Sequence, residues 1–222
     1  TDAGLDPSFL IGGVPRNFDS GARLGAGKHF VIEGDEYDSA FFEKQPKFLQ
    51  YQPRTAMLTS VELDHVDIYK SFADVLDAFA RFVRLLPADG LLVVSAASPD
   101  ALEMAHQAAC PVQTYAVDAR AVGNVVPMWQ AEIGESHDPR RVSFSVTRAG
   151  EFFGTFEIGL LGAHNVENAL GVIAVGASLG LSTTQMTRAL HRFRGVKRRQ
   201  EFCGVAAGVT VIDDYAHHPT AV

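Results

Sequence analysis

The sequence predicts an α/β fold: a mostly parallel sheet flanked by helices, with an antiparallel β subregion. Apolar runs of strand length recur at residues 9–11, 29–32, 55–61, 91–95 and 112–117, and such short, near-continuous runs are what strands covered on both faces require. The segments between them have helical character, and strands alternating with helices favour parallel pairing through crossovers. Past Val125 the period changes to two. Val142, Phe144 and Val146 alternate with polar residues, Ala149-Gly150 supplies a turn, and a second run returns at 152–158, the pattern of a hairpin.

The clearest helix is expected over 69–86, where Phe72, Val75, Leu76, Phe79, Val83 and Leu86 fall on one stripe. Ser71 is placed to cap it, and Pro87 with Gly90 stops it. A nearly all-apolar helix follows over 165–179, ended by Gly180. Ser182-Thr183-Thr184-Gln185 has capping-box spacing and opens a further helix to about Phe193. After Gly195 the chain turns basic at Lys197-Arg198-Arg199 and then enters a strand over 209–212. This reads as a linker into another domain.

A net charge of −7 across 222 residues, with a pI near 5.6, argues against a nucleic-acid scaffold. The 47% hydrophobic content is that of an ordinary globular protein with a sizeable core. Cys110 and Cys203 are too few for a disulfide framework and lack metal-ligand spacing, which fits a reducing, cytoplasmic setting. No apolar stretch reaches the length of a membrane span, and the start lacks the regions of a signal peptide. The chain opens on Thr1 and ends inside what reads as a motif, as an excised piece of a longer protein would.

Acidic residues concentrate at Glu33-Gly34-Asp35-Glu36-Tyr37-Asp38, directly after Phe30-Val31-Ile32, and again at Glu62-Leu63-Asp64-His65. If both apolar runs are buried neighbouring strands, their carboxyl ends present hard ligands for Mg²⁺ or Mn²⁺ to one crevice. Two solvated acidic loops are the alternative. His164, Asn165 and Asn168 open the apolar helix at spacings that bring their polar ends together. Amides there match the edge of an adenine ring, or His164 or Asn165 simply caps the helix. In Lys197-Arg198-Arg199 the guanidinium forks suit phosphates, and Asp213-Asp214 at a strand end suits ribose hydroxyls. A solvated linker explains the same charges. Gly21 to His29 imitates a phosphate loop but has the wrong spacing, His29 where Ser or Thr is needed, and a position before its strand.

In order, IGGVPRNF at 11–18, EGDEYDSAFF at 33–42, ELDH at 62–65, GAHNVENAL at 162–170, RRQE at 198–201 and DDYAHHPT at 213–220 resemble the Mur ligase family. Its members are ATP-dependent enzymes that join amino acids or peptides to UDP-muramic acid precursors. The GVPRNF segment, Tyr37 with the following SAFF, and RRQE resemble the branch that attaches L-alanyl-γ-D-glutamyl-meso-diaminopimelate, a recycled murein tripeptide, to UDP-N-acetylmuramate. The related branch adds L-alanine. The resemblance implies that Glu33 and His65 hold the divalent metal and act in catalysis, and that His164, Asn165 and Asn168 recognise adenine. It implies that Arg199 and Asp214 meet the nucleotide from the linker and the next domain.

It further implies a central ATP-binding domain over 1–197 without its phosphate loop, then the linker and first strand of a C-terminal domain over 198–222, inactive by itself. Phe79-Ala80-Arg81-Phe82 lacks the lysine that many relatives carry on the helix after ELDH, and Ser60 stands where Asn is common. Two readings of other classes are a metal-dependent phosphohydrolase built on the acidic clusters and a noncatalytic nucleotide-binding module.

Overall fold

The computed structural model describes residues 1–40, 43–63, 68–118, 121 and 123–216. Its largest sheet has the order β11-β10-β9-β8-β7-β6, built from β6 (Thr55–Leu58), β7 (Leu91–Ser95), β8 (Val112–Val117), β9 (Trp129–Gly134), β10 (Val142–Arg148) and β11 (Glu151–Ile158). Pairing is parallel from β6 to β9 and antiparallel from β9 to β11. The predicted parallel sheet with an antiparallel subregion is therefore present in a single sheet. β9 extends the expected hairpin to three strands.

Helices cover both faces. α1 (Phe72–Arg84) and α2 (Pro99–Ala105) lie on one, α3 (Ala163–Ser178) and α4 (Thr183–Arg192) on the other. Strand β7 shows how the sheet serves both. Leu92 and Val94 enter the core shared with α1 and α2, whereas Leu91 and Val93 enter the core shared with α3, as the two-residue period dictates. Trp129 anchors the second core, fully buried, with its indole N–H donating to Gln113 at 2.8 Å. Gly171 lets α3 approach the sheet closely. A Cβ there would lie 2.6 Å from Met57 Cε and 3.1 Å from the Tyr115 ring.

Local signals act as expected. Ser71 caps α1 in a reciprocal pair with Asp74, so the helix begins at Phe72, three residues later than expected, and Tyr69 stays outside it. Ser182 and Gln185 form the capping box of α4. Ala149 and Gly150 both take positive φ in the two-residue turn joining β10 to β11, the geometry a tight hairpin favours. No helix among the described residues is long and apolar enough to cross a membrane.

The acidic-strand expectation needs correction. β1 (Ser8–Leu10), β2 (Ala22–Arg23) and β3 (Phe30–Ile32) form their own sheet of order β2-β1-β3. β3 is not a hydrogen-bonded neighbour of β6. Phe30 and Val31 are 60% and 54% exposed, so a run of three apolar residues identified a strand but not its burial. The Gly-rich segment after β2 is structural. A Cβ on Gly27 would lie 1.8 Å from the Leu5 carbonyl oxygen, so glycine is needed for the loop to lie against residues 5–8.

β4 (Asp38–Ala40) and β5 (Glu43–Pro46) form a small ribbon after the acidic run. The residues before it are held from below, where the buried Tyr69 donates its hydroxyl to the Glu36 carbonyl at 3.1 Å. Burial, then the nearby carboxylates of Glu36 and Asp35, push this phenol from its usual 10.0 up to about 12. Finally, β12 (Glu201–Ala206) and β13 (Val209–Asp213) pair as a hairpin. β13 is the strand expected over 209–212, and β12 replaces part of the expected linker.

Two outcomes follow from this packing. Gly171→Leu should destabilise the chain by about 1–3 kcal/mol through overpacking, measured by urea unfolding; an unchanged midpoint would show that the close approach is unimportant. Because the folded-state pKa of Tyr69 is raised, its stabilising contribution is complete below pH 10 and is lost as pH rises through about 12. Ultraviolet titration against Tyr69→Phe should place the missing step near the upper value. A step near 10 would contradict the buried contact.

Candidate nucleotide and metal site

α3 starts at Ala163 with Gly162 as its N-cap at φ +93°, and no side chain caps it. Neither His164 nor Asn165 is the cap. Both lie in the first turn, where their side chains are free for other bonds. The His164 imidazole folds over Gly162, so that a Cβ there would sit 2.7 Å from its Cε1. The Asn165 amide nitrogen donates to Leu161 O at 2.7 Å and to Gln200 Oε1 at 3.3 Å, and lies 3.1 Å from His164 Nε2. Asn168, one turn on, is exposed.

Gln200 carries the connection into the linker. Its backbone N–H donates to Asp214 Oδ2 at 3.3 Å, and the other Asp214 oxygen accepts from Ala216 N at 3.0 Å. Arg198 and Gln200 both hold left-handed φ, +58° and +47°, a costly conformation for side-chain-bearing residues. The turn is held by Arg198 N to Glu201 Oε2 at 2.9 Å, Arg199 N to Val196 O at 3.2 Å and Tyr215 N to Arg198 O at 2.8 Å. The guanidinium carbons of Arg198 and Arg199 stand 4.9 and 5.9 Å from the centre of the Tyr215 ring, within reach of cation–π attraction. His164, Asn165, Arg199 and Asp214, predicted from separate motifs, thus belong to one connected group.

The linker is itself docked on the amino-terminal motif. Arg16 N donates to Gly195 O at 2.9 Å and Lys197 N to Val14 O at 2.9 Å, around an antiparallel bridge between Pro15 and Val196. Asn17 adds bonds in both directions, from its amide to Arg192 O and from Arg194 N to its oxygen, each 2.9 Å. Arg16 also pairs with Glu201 at 3.6 Å. GVPRNF therefore docks residues 192–197 and, through Arg16, reaches Glu201 of RRQE, a structural role that the motif does not disclose alone.

Glu33 stands at the carboxyl end of β3, exposed, with Oε2 accepting from Gly12 N at 2.6 Å. Among the described residues, its hydrogen bond is to Gly12 and none joins it to the α3 group. Asp35 pairs with Lys47 at 3.0 Å and accepts from Tyr37 N at 2.9 Å, and among the described residues no three His, Cys, Asp or Glu side chains converge on a point. Asp64 and His65 lie outside the described residues, as do His217 and His218.

Sequence reasoning missed Gln200 and also Glu167, which turns inward from α3 to accept from the buried Ser95 hydroxyl at the end of β7. The signal for Glu167 was its position two residues from Asn165, hence on the opposite helical face. Tyr115 packs nearby with a buried hydroxyl that has no partner among the described residues. Burial foremost, and then the Glu167 charge, raise its pKa.

The family described as the Mur ligase middle domain matches residues 13–176. The UDP-N-acetylmuramate–L-alanyl-γ-D-glutamyl-meso-2,6-diaminoheptandioate ligase of Escherichia coli is 37% identical over 99% of this chain and 46% of its own length. The UDP-N-acetylmuramate–L-alanine ligase of Renibacterium salmoninarum is 41% identical over 100% of this chain and 45% of its length. The chain thus spans about half the length of these relatives. The crystal structure of the tripeptide-type ligase from Neisseria meningitides superposes with a TM-score of 0.75 at 37% identity, covering 89% of this chain and 60% of that one. Match, identity and shared fold agree: this chain belongs to the Mur ligase family.

Proposed function

We propose that the chain is the central ATP-binding domain, residues 1–197, of a ligase that joins L-alanyl-γ-D-glutamyl-meso-diaminopimelate to UDP-N-acetylmuramate, with 198–222 as the linker and opening strands of a C-terminal domain. The observation that carries the nucleotide reading is the bonded series Asn165, Gln200 and Asp214. It brings amide groups at a helix start together with a carboxylate at a strand end, a set able to grip a base edge and ribose hydroxyls. His164 and Asn168 complete the base side, and Arg199 offers a guanidinium for phosphate. Similarity to the Escherichia coli tripeptide-type ligase supports the acceptor assignment.

In this reading the muramate carboxylate attacks the γ-phosphorus of ATP, releasing ADP and leaving an acyl phosphate. The tripeptide amine attacks that carbonyl, phosphate departs, and the nitrogen loses a proton as the amide forms. The α3 group and linker hold the adenosine end so that the phosphates are presented in line, which converts an encounter into a positioned reaction. Glu33, with His65 assigned by the family resemblance, would hold Mg²⁺ or Mn²⁺. A single exposed carboxylate oxygen fits Mg²⁺, which takes one or two carboxylates and completes its shell with water and phosphate oxygens. When bound, the ion offsets charge on the transferred phosphoryl group.

A second reading, L-alanine as the acceptor, is favoured by the 41% identity to the Renibacterium salmoninarum enzyme. The full-length protein should form amide from UDP-N-acetylmuramate, ATP, Mg²⁺ and tripeptide, read by mass spectrometry of the product. Preference for L-alanine would transfer the assignment to the second reading, and no amide with either would remove the ligase proposal. Glu33→Gln should lower turnover by about a hundredfold, the scale of losing one group that stabilises transferred charge, measured as ADP release. Unimpaired release would remove Glu33 from the metal site.

A further inference from the structure

We infer that Gln200 is a specificity-positioning residue: with Leu161 O it engages both hydrogens of the Asn165 amide, so that the oxygen, not the nitrogen, is left to meet the nucleotide, and thereby selects a purine carrying an exocyclic amine. The inference rests on the nucleotide reading of the α3 group. It starts from the hydrogen-bond inventory of one amide. A primary amide has two hydrogens and one accepting oxygen. Leu161 O lies 2.7 Å from Asn165 Nδ2, and a carbonyl only accepts, so the nitrogen must face it. The orientation is thus fixed by chemistry. One hydrogen is used there.

The second hydrogen is held between Gln200 Oε1 at 3.3 Å and His164 Nε2 at 3.1 Å. Nothing among the described residues donates to Asn165 Oδ1. The group that remains to meet a ligand is therefore an acceptor. Adenine offers a donor at its N6 amine, whereas guanine places an accepting O6 at the equivalent position. An amide free to turn would serve both. An amide with both hydrogens committed serves the amine and opposes the keto group.

Gln200 is suited to the task because its own place is determined. Its backbone is in the left-handed region at φ +47°, its N–H is engaged by Asp214, and the turn before it is held by bonds from Arg198 and Arg199 to Glu201 and Val196. The side chain is exposed, so changing it need not disturb a core. Its oxygen reaches Asn165 from a segment 35 positions away.

The test is nucleotide discrimination in the full-length ligase, measured as the ratio of kcat/KM for ATP to that for GTP, with thermal melting to verify folding. Gln200→Leu removes the acceptor and should reduce the ratio about three- to tenfold, the scale of one net hydrogen bond, with the loss falling on KM for ATP. Gln200→Glu keeps an accepting oxygen and should restore the ratio. A purely structural role would change both nucleotides alike and leave the ratio where it was, which would overturn the inference. So would a ratio that collapses in Asn165→Ala but not in Gln200→Leu. Equal use of ATP and GTP by the unmodified enzyme would instead defeat the underlying assignment of Asn165 to adenine.

Discussion

The seat of α3 on the sheet is the constraint from which the rest of the site takes its geometry. Two features set it. Gly171 removes the side chain that would hold the helix off Met57 and Tyr115, and Glu167 reaches down to the Ser95 hydroxyl at the end of β7. The first sets distance and the second sets rotation. With Glu167 turned to the sheet, the 100° step of the helix directs Asn165 and Asn168 away from it. A polar contact on a mostly apolar face therefore decides where the opposite face points.

Rotation of α3 would be of little use if the linker were free to wander. The antiparallel bracket of Val14 to Asn17 against Arg192 to Lys197 brings the basic turn to the start of α3. That turn then spends its remaining backbone donors on Glu201, Val196 and Asp214. Several modest exposed bonds in a closed circuit restrict one another more than any isolated pair does, since each ordered partner has already lost the freedom the next bond would cost. Two left-handed residues in the turn are the conformational cost of that closure.

Much of the fold was legible because its signals are local. Ser71, Ser182 with Gln185, Gly180 and Ala149-Gly150 each act over a few residues, and the apolar periods named nearly every strand of the large sheet. The residues 30–32 were misread because burial depends on what covers a strand, which three apolar letters do not encode. Here β3 joins a separate sheet with exposed faces. The candidate residues of α3 and the linker came from separate motifs, and the bond that connects them was not legible, because Gln200 acts across 35 positions. Likewise, nothing in GVPRNF alone says that it docks the linker. Long-range pairing is the part of a structure that periodicity and spacing do not carry.

The two halves of the proposed site differ in how far the described residues organise them, and the difference has a mechanistic consequence. On the nucleotide side, amide, carboxylate and guanidinium groups are already linked and oriented. On the metal side, Glu33 contributes a carboxylate with one oxygen occupied by Gly12, while Asp35 is engaged by Lys47. A hydrated Mg²⁺ exchanges water reluctantly and gains little from a lone carboxylate, but much from phosphate oxygens that present several charges together. In the proposed reaction, the base and ribose contacts position the polyphosphate, and Glu33 would supply one carboxylate oxygen to a Mg²⁺ whose remaining positions suit phosphate oxygens and water. Binding energy from the unreactive adenosine end is in this way applied where the phosphoryl group is transferred.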